Sequence, residues 1–231
     1  MKIVMIHGQS HKGSTYHIAR QLADKIGGEV MEFFLPRDFD RACIGCTSCF
    51  MKGEDTCPHY EELHEITEKM DEADVLIFAS PVYVYHATGA MKTFLDHYGY
   101  RWIVHRPEEK MFQKQAVCIS TAAGAGMKST NKDMADSLFF WGVAKIYRYG
   151  VAVSATSYEE ISDKRKKKID SKTTKLANKV KAVDGKVRPG IKTKAFFSIM
   201  GMMQRNGWNE ADVTYWKEKG WLENKRPWKK K

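Results

Sequence analysis

Short runs of apolar residues alternate with amphipathic stretches along the first two thirds of the chain. Ile3-Val4-Met5-Ile6 has no polar interruption, which predicts a strand buried on both faces. The run breaks at Gly8 and passes through a loop rich in glycine and hydroxyls. A helix is expected from Ser14 or Thr15, with Ile18, Leu22 and Ile26 at helical spacing and Gly27-Gly28 as its stop. A second strand is predicted over 30–35, a long loop over 36–59 and an amphipathic helix over 60–70. Val75-Leu76-Ile77-Phe78 is a third strand, closed by Ser80-Pro81. Then come a helix over 87–98, a strand over 116–120, a helix over 131–141 and a strand over 144–153. A lysine-rich helix over 158–183 follows, with Ile161, Ile169, Leu176 and Val180 as its sparse apolar stripe.

Five strands alternating with helices predict a doubly wound α/β domain around a parallel sheet. In such sheets ligands lie beyond the carboxyl ends of the strands, near the topological switch point. The unusual chemistry of this chain sits there, in the loops after strands one, three and four.

In the first of those loops, Gly8 and Gly13 have the G-x-x-x-x-G spacing of a nucleotide phosphate loop, but Ser14 stands where that motif has Lys. A triphosphate with its magnesium therefore fits poorly. The hydroxyls of Ser10, Ser14 and Thr15 suit one terminal phosphate held without metal at a helix N-terminus. A plain strand–turn–helix with Ser14 or Thr15 as N-cap is equally compatible. The second loop runs from Ser80 through Pro81, Val82, Tyr83, Val84 and Tyr85 to Gly89; its stiff, aromatic residues could wall a ring system or simply pack. The third, Thr121-Ala122-Ala123-Gly124-Ala125-Gly126, offers backbone donors without bulk, and a tight turn reads the same way.

Taken together, G-Q-S-H-K-G-S-T (8–15), S-P-V-Y (80–83) with G-A-M-K-T-F-L-D (89–96), and T-A-A-G-A-G (121–126) resemble the NAD(P)H-dependent FMN reductase family of the flavodoxin-like superfamily. The resemblance covers about residues 1–155. It implies a five-stranded sheet of order 2-1-3-4-5, with the FMN phosphate in the first loop and the isoalloxazine against the second and third. The implied cofactor residues are Gly8, Ser10, Lys12, Gly13, Ser14 and Thr15, then Ser80, Pro81, Val82, Tyr83, Val84, Tyr85 and Gly89, then Thr121, Ala122, Ala123, Gly124 and Gly126. The chain departs from the family at Gln9, where Ser is usual, so the phosphate role passes to Ser10, Ser14 and Thr15.

Cys43, Cys46, Cys49 and Cys57 spell C-x2-C-x2-C-x7-C-P, similar to the compact motif of iron–sulfur flavoproteins in the same superfamily. Three cysteines at that spacing can ligate one cubane on a tight loop, with the fourth arriving from a few residues on. Zinc is disfavoured, because its sites usually pair two separated C-x2-C knuckles; thiols left free are the other reading. Cys118, inside an apolar strand, reads as core.

Composition adds direction. With no apolar run of membrane length and no signal peptide, the 231-residue chain is expected to be cytoplasmic, and its five cysteines are no disulfide scaffold there. The net charge of +10 is uneven: residues 1–160 carry 17 Lys and Arg against 21 Asp and Glu, and residues 161–231 carry 21 against 7. A solvated basic face is the expectation, without nucleic-acid or membrane partners. A domain over 1–183 is then followed by an extension over 184–231. Phe196, Phe197, Ile199, Met200, Met202 and Met203 with Tyr215, Trp216, Trp221 and Trp228 suggest packing or a dimer arm, ahead of a membrane-surface helix. The eight histidines form no metal-spacing set, and none is given a catalytic role.

The expected function is an FMN-dependent oxidoreductase passing electrons from NAD(P)H to a small acceptor, with a [4Fe–4S] cluster as an added relay, in a dimer or tetramer. The alternatives are a flavodoxin-like carrier between proteins and a basic module binding nucleic acid or a membrane surface.

Overall fold

The computed structural model describes residues 1–207 and 209–229. Strand β1 (Lys2–His7) lies between β2 (Glu29–Phe34) and β3 (Val75–Pro81), with β4 (Gln115–Ala122) and β5 (Lys145–Ala152) beyond. Every pairing is parallel, as the alternating periods imply, and the order is β2-β1-β3-β4-β5, the one the family resemblance implies. The switch point falls at β1 and β3, where crossovers depart to opposite sides.

Side chains alternate across β1, β3 and β4, so the sheet feeds two cores. Val4, Ile6, Leu76, Phe78, Ala116 and Cys118 face one way, against Leu63 and Ile66 of α3 (Tyr60–Glu72), Met91 and Phe94 of α4 (Gly89–Asp96), and Met134 and Leu138 of α5 (Met127–Phe140). Ile3, Met5, Val75, Ile77, Val117 and Ile119 face the other way. Their partners are Ile18 and Leu22 of α1 (Ser14–Ile26), and Ile169, Leu176 and Val180 of α6 (Asp163–Lys181). Cys118 is fully buried, and burial pushes its thiol pKa up to about 12.

Two boundaries differ from the sequence reading. Helix α5 starts at Met127 rather than near Asn131, because Gly126 takes a left-handed φ of +97° and ends the loop there. Helix α6 starts at Asp163, so Ile161 reaches the core from the preceding turn. The loop over 36–59 also holds structure of its own: a short helix α2 (Ser48–Met51) and a 3-10 turn (Glu54–Thr56).

Beyond the sheet domain come α7 (Ile191–Arg205) and α8 (Glu210–Glu218). Phe197, Met200, Trp216 and Trp221 form a third core with Ile103 and Phe112, which lie between α4 and β4. Trp216 Nε1 donates to the His105 carbonyl at 2.6 Å. Ile191, Ile199, Met202 and Met203 remain exposed on α7. Lys230 and Lys231 of the basic extension lie outside the described residues. Among those described, no helix is long and apolar enough to cross a membrane.

Candidate functional site

Helix α1 begins where β1 hands the chain to its first loop. Its N-cap is Gly13, which supplies no side-chain cap, and the first turn holds no acidic residue. The opening N–H groups of a helix have no acceptors within it, so this end presents donors and the positive end of the dipole. It opens into a cavity of about 210 Å³ at the carboxyl ends of β1, β3 and β4. Gly13, Ser14 and Thr15 line it from the first loop, Pro81, Val82 and Tyr83 from the second, and Thr121, Ala122 and Ala123 from the third. Among the described residues the Ser14 hydroxyl has no hydrogen-bond partner. Thr15 is committed otherwise: its Oγ1 lies 2.6 Å from Thr121 Oγ1 in a buried bond that ties the first and third loops.

Gly8 does not line the cavity; it is where β1 packs on the second loop. A Cβ there would stand 2.8 Å from Thr88 Oγ1 and 3.1 Å from Ser80 Oγ. Thr88 Oγ1 donates to the Gly8 carbonyl at 2.6 Å, and Gly8 N–H donates to the Ala79 carbonyl at 2.8 Å. Ser80 is buried beneath the loop, its hydroxyl accepting from Thr88 N–H at 3.1 Å. Ser10 turns outward and donates to the Leu35 carbonyl at 3.3 Å. Lys12 stands over the rings of Tyr16 and Phe34, 5.1 and 5.8 Å from their centroids. Gly89 opens α4 behind the Thr88 cap, and Gly124 stands in open space.

The second loop ends in a two-residue hairpin, with reciprocal backbone bonds between Tyr83 and His86 at 2.9 and 3.0 Å. Val84 and Tyr85 hold φ of +47° and +66°, strained values for a β-branched and an aromatic residue. They point away from the cavity, 93% and 65% exposed, so only Tyr83 of the aromatic pair reaches it. The turn is fastened to α5: Ser129 Oγ donates to the Tyr85 carbonyl, and Asp133 Oδ2 accepts from Ala87 N–H at 3.1 Å. Gly126 makes the approach of loops two and three possible, because a Cβ there would sit 2.5 Å from Val82 Cγ1.

Several lining residues lie outside the sequence-based set: His7, Gln9, His11, Tyr16, Ala79, Val153, Ala155 and Thr156. Gln9 Nε2 donates to the Tyr83 hydroxyl and so bridges loops one and two. His7 is the last residue of β1, buried between Phe34 and Tyr16, with Nε2 2.9 Å from Glu32 Oε2. Hydrogen bonds from His7 and from Arg20 hold the Glu32 carboxyl below its ordinary range. The rule that ligands gather at strand carboxyl ends is the signal that could have found His7, at the end of β1, and Ala155 and Thr156 after β5.

The cysteine loop forms a separate feature. Cys43, Cys46, Cys49 and Cys57 all line one cavity of about 60 Å³, together with Phe50, His59 and His97. Burial pushes the Cys49 thiol up to about 11, with the negative charge of Cys57, Cys43 and Cys46 adding to it. The exposed Cys46 thiol is shifted down by hydrogen bonds from the Ser48 backbone and hydroxyl. Among the described residues no three His, Cys, Asp or Glu side chains converge tightly enough for one metal ion. The loop is fastened from behind. Arg106 donates to the Cys49 and Phe50 carbonyls and to Asp212 of α8, and Asn209 Nδ2 donates to the Phe50 carbonyl at 3.1 Å.

Residues 1–157 match the profile of a family described as NADPH-dependent FMN reductase. An iron-sulfur flavoprotein of Archaeoglobus fulgidus is 29% identical over 235 residues, covering 96% of this chain and 100% of its own. Another, of Methanocaldococcus jannaschii, is 31% identical over 139 residues, 56% of this chain and 67% of its own. Among solved structures, an NAD(P)H:quinone oxidoreductase from Methanothermobacter marburgensis superposes with a TM-score of 0.59 at 15% identity, over 76% of this chain and 96% of that one.

Proposed function

The chain belongs to the NADPH-dependent FMN reductase family, and on that premise we propose that the cavity at the start of α1 is its FMN site. The phosphate lies at the helix N-terminus, on the Ser14 hydroxyl and the free backbone N–H groups. The ring lies against Pro81, Val82 and Tyr83 on one side and Thr121, Ala122 and Ala123 on the other. One observation carries this reading: an uncapped helix N-terminus, with an unengaged hydroxyl beside it, opens into a cleft walled by stiff and small residues. A group with several acceptor oxygens fits that donor set.

Bound FMN supplies hydride acceptance from NAD(P)H and onward release of electrons. The chain's own residues bind and orient. The Thr15–Thr121 bond fixes the spacing between phosphate end and ring end, the Gln9–Tyr83 bond braces the mouth, and Pro81 and Val82 keep water from the ring. Adding NADPH or NADH to the flavin-loaded protein without oxygen should bleach the oxidised flavin band. If dithionite bleaches the band and neither nucleotide does, the chain is an electron carrier instead.

Cys43, Cys46, Cys49 and Cys57 are the residues that would hold a [4Fe–4S] cluster, which would supply one-electron transfer. Four thiols around one cavity support this, and so do relatives named as iron-sulfur flavoproteins. The lack of a single-ion site does not oppose it, because each cysteine of a cubane holds a different iron. Anaerobically prepared protein should carry about four iron per chain, as that cluster type requires, and Cys46→Ala should remove the iron and leave the flavin. Iron-free anaerobic protein would leave a flavin enzyme with free thiols. We assign the chain to the cytoplasm, its electrons to a small-molecule acceptor, and residues 184–231 to a packing extension whose exposed apolar residues on α7 support a homo-oligomer.

A further inference from the structure

A second cavity, of about 270 Å³, opens between α3, the segment after α4, and α8. It is just below the usual range of small-molecule sites, ~300–1,000 Å³. It shares Cys57 and His97 with the cavity of the cysteine loop, so the two adjoin. Nothing in the FMN reading uses it.

Its floor holds a guanidinium with unmet donors. Arg101 is 4% exposed and grips Asp71 with one nitrogen, Nη2 donating to Oδ1 and Oδ2 at 2.6 and 2.7 Å. Its other terminal nitrogen, Nη1, is buried without a partner among the described residues. A charged donor left so is costly, and structures seldom keep one without a ligand or water to meet it. Arg101 lines the cavity, and a ligand there can meet the unpartnered Nη1. Beside it, the Tyr100 hydroxyl also lacks a hydrogen-bond partner among the described residues. Of the other donors, Tyr215 Oη donates to the Pro107 carbonyl at 2.7 Å, the Tyr98 hydroxyl pairs with Thr67 at 2.9 Å, and Arg106 is spent on the cysteine loop, while Tyr60 and Lys219 remain as further donors on the lining.

The walls choose the ligand's shape and charge. Tyr60, Tyr98, Tyr100 and Tyr215 make the lining aromatic, which suits a planar ring. Arg101 and Arg106 are each paired with an aspartate, so Glu54, Glu68 and Glu108 outnumber the remaining cation of the lining, Lys219, and disfavour an anion there. We propose that this cavity binds a flat, uncharged ring carrying a carbonyl oxygen, which accepts hydrogen bonds from Arg101 Nη1 and Tyr100 Oη beside the cysteine loop.

Coumarin, a planar lactone, is a suitable probe, titrated into the purified flavin-loaded protein and followed by calorimetry. Benzoate and benzamidine serve as the anionic and cationic counterparts. Saturable coumarin binding is expected, tighter than that of either counterpart. Tyr100→Phe should weaken it by about three- to ten-fold, the worth of one uncharged hydrogen bond. His64→Trp adds bulk at the half-exposed rim without touching Arg101 and should weaken it more than ten-fold. Flavin content should stay unchanged in both variants, which separates this site from the flavin cleft. No saturable binding, coumarin binding indifferent to both substitutions, or preference for benzamidine or benzoate would each overturn the proposal.

Discussion

Ser14→Ala tests the phosphate reading most sharply. Ser14 is the first residue of α1, and its hydroxyl lines the cavity without a partner inside the chain. Removing it deletes one hydrogen bond to a charged oxygen and strands no protein group. Such a bond is worth about 1.5–3 kcal/mol, and with ~1.4 kcal/mol per decade FMN affinity should fall by about 10- to 150-fold. Ala is the better helix former, so the apoprotein should melt no lower than wild type. Ser10→Ala is the matched control: its hydroxyl is turned to the Leu35 carbonyl, and affinity should change by less than about two-fold. Apoprotein titrated with FMN and followed by flavin fluorescence reads both constants, and a melting curve without flavin reads stability. Equal effects at 10 and 14, or a Ser14→Ala constant within about two-fold of wild type, would refute the assignment.

Gly126→Ala forces a Cβ to 2.5 Å from Val82 Cγ1 at a φ of +97°. Strain of about 1–3 kcal/mol is expected, at ~2–4 °C of Tm per kcal/mol, with weaker FMN binding as loops two and three part. In iron-free protein under reductant, alkylation followed by mass spectrometry should modify Cys46 early, Cys49 slowly and Cys118 only on unfolding; rapid native labelling of Cys118 would contradict its place in the core. Lys114 is buried at the end of α3, donating to the Asp71 carbonyl at 2.8 Å, and burial lowers its ammonium pKa from 10.5 to about 8. Between those two values the unfolded chain binds the extra proton, so Lys114 makes stability rise with pH across that window. The difference in Tm between wild type and Lys114→Met should therefore grow in favour of wild type from pH 8 to 10, and parallel curves would rule out the shift.

The strands were legible because Ile3–Ile6, Val75–Phe78 and Ala116–Ser120 are buried on both faces, which leaves largely apolar runs between helical periods, whereas their order came only with the family resemblance. The three loops were legible through their glycines, but the role of each glycine was not. Gly8 and Gly13 look alike in sequence, yet Gly8 is excluded from the cavity by its contact with Thr88 and Ser80, a packing between segments 80 residues apart. Val84 and Tyr85 read as a wall until the hairpin turned both outward, and only backbone dihedrals decide that. His7 and Gln9 were missed because their partners, Glu32 and Tyr83, arrive from other strands and loops. Helices α7 and α8 escaped notice because their apolar residues pack on Ile103 and Phe112, in a stretch with no periodicity of its own.

The clasp behind the cysteine loop carries a consequence for how this chain can be cut. Asp212, with no exposed surface, sits between Arg106 and His105, and Arg106 in turn grips the carbonyls of Cys49 and Phe50. The part of the chain shared with its family ends at residue 157, yet the carboxylate that neutralises this clasp lies more than 50 residues later. A fragment ending at residue 183, which keeps α6 over the sheet, would hold all four loop cysteines and both sides of the proposed flavin cleft. It would also leave a buried guanidinium without its counter-charge, directly under the thiols. The minimal flavin-binding unit and the minimal cysteine-holding unit are therefore different lengths of the same polypeptide.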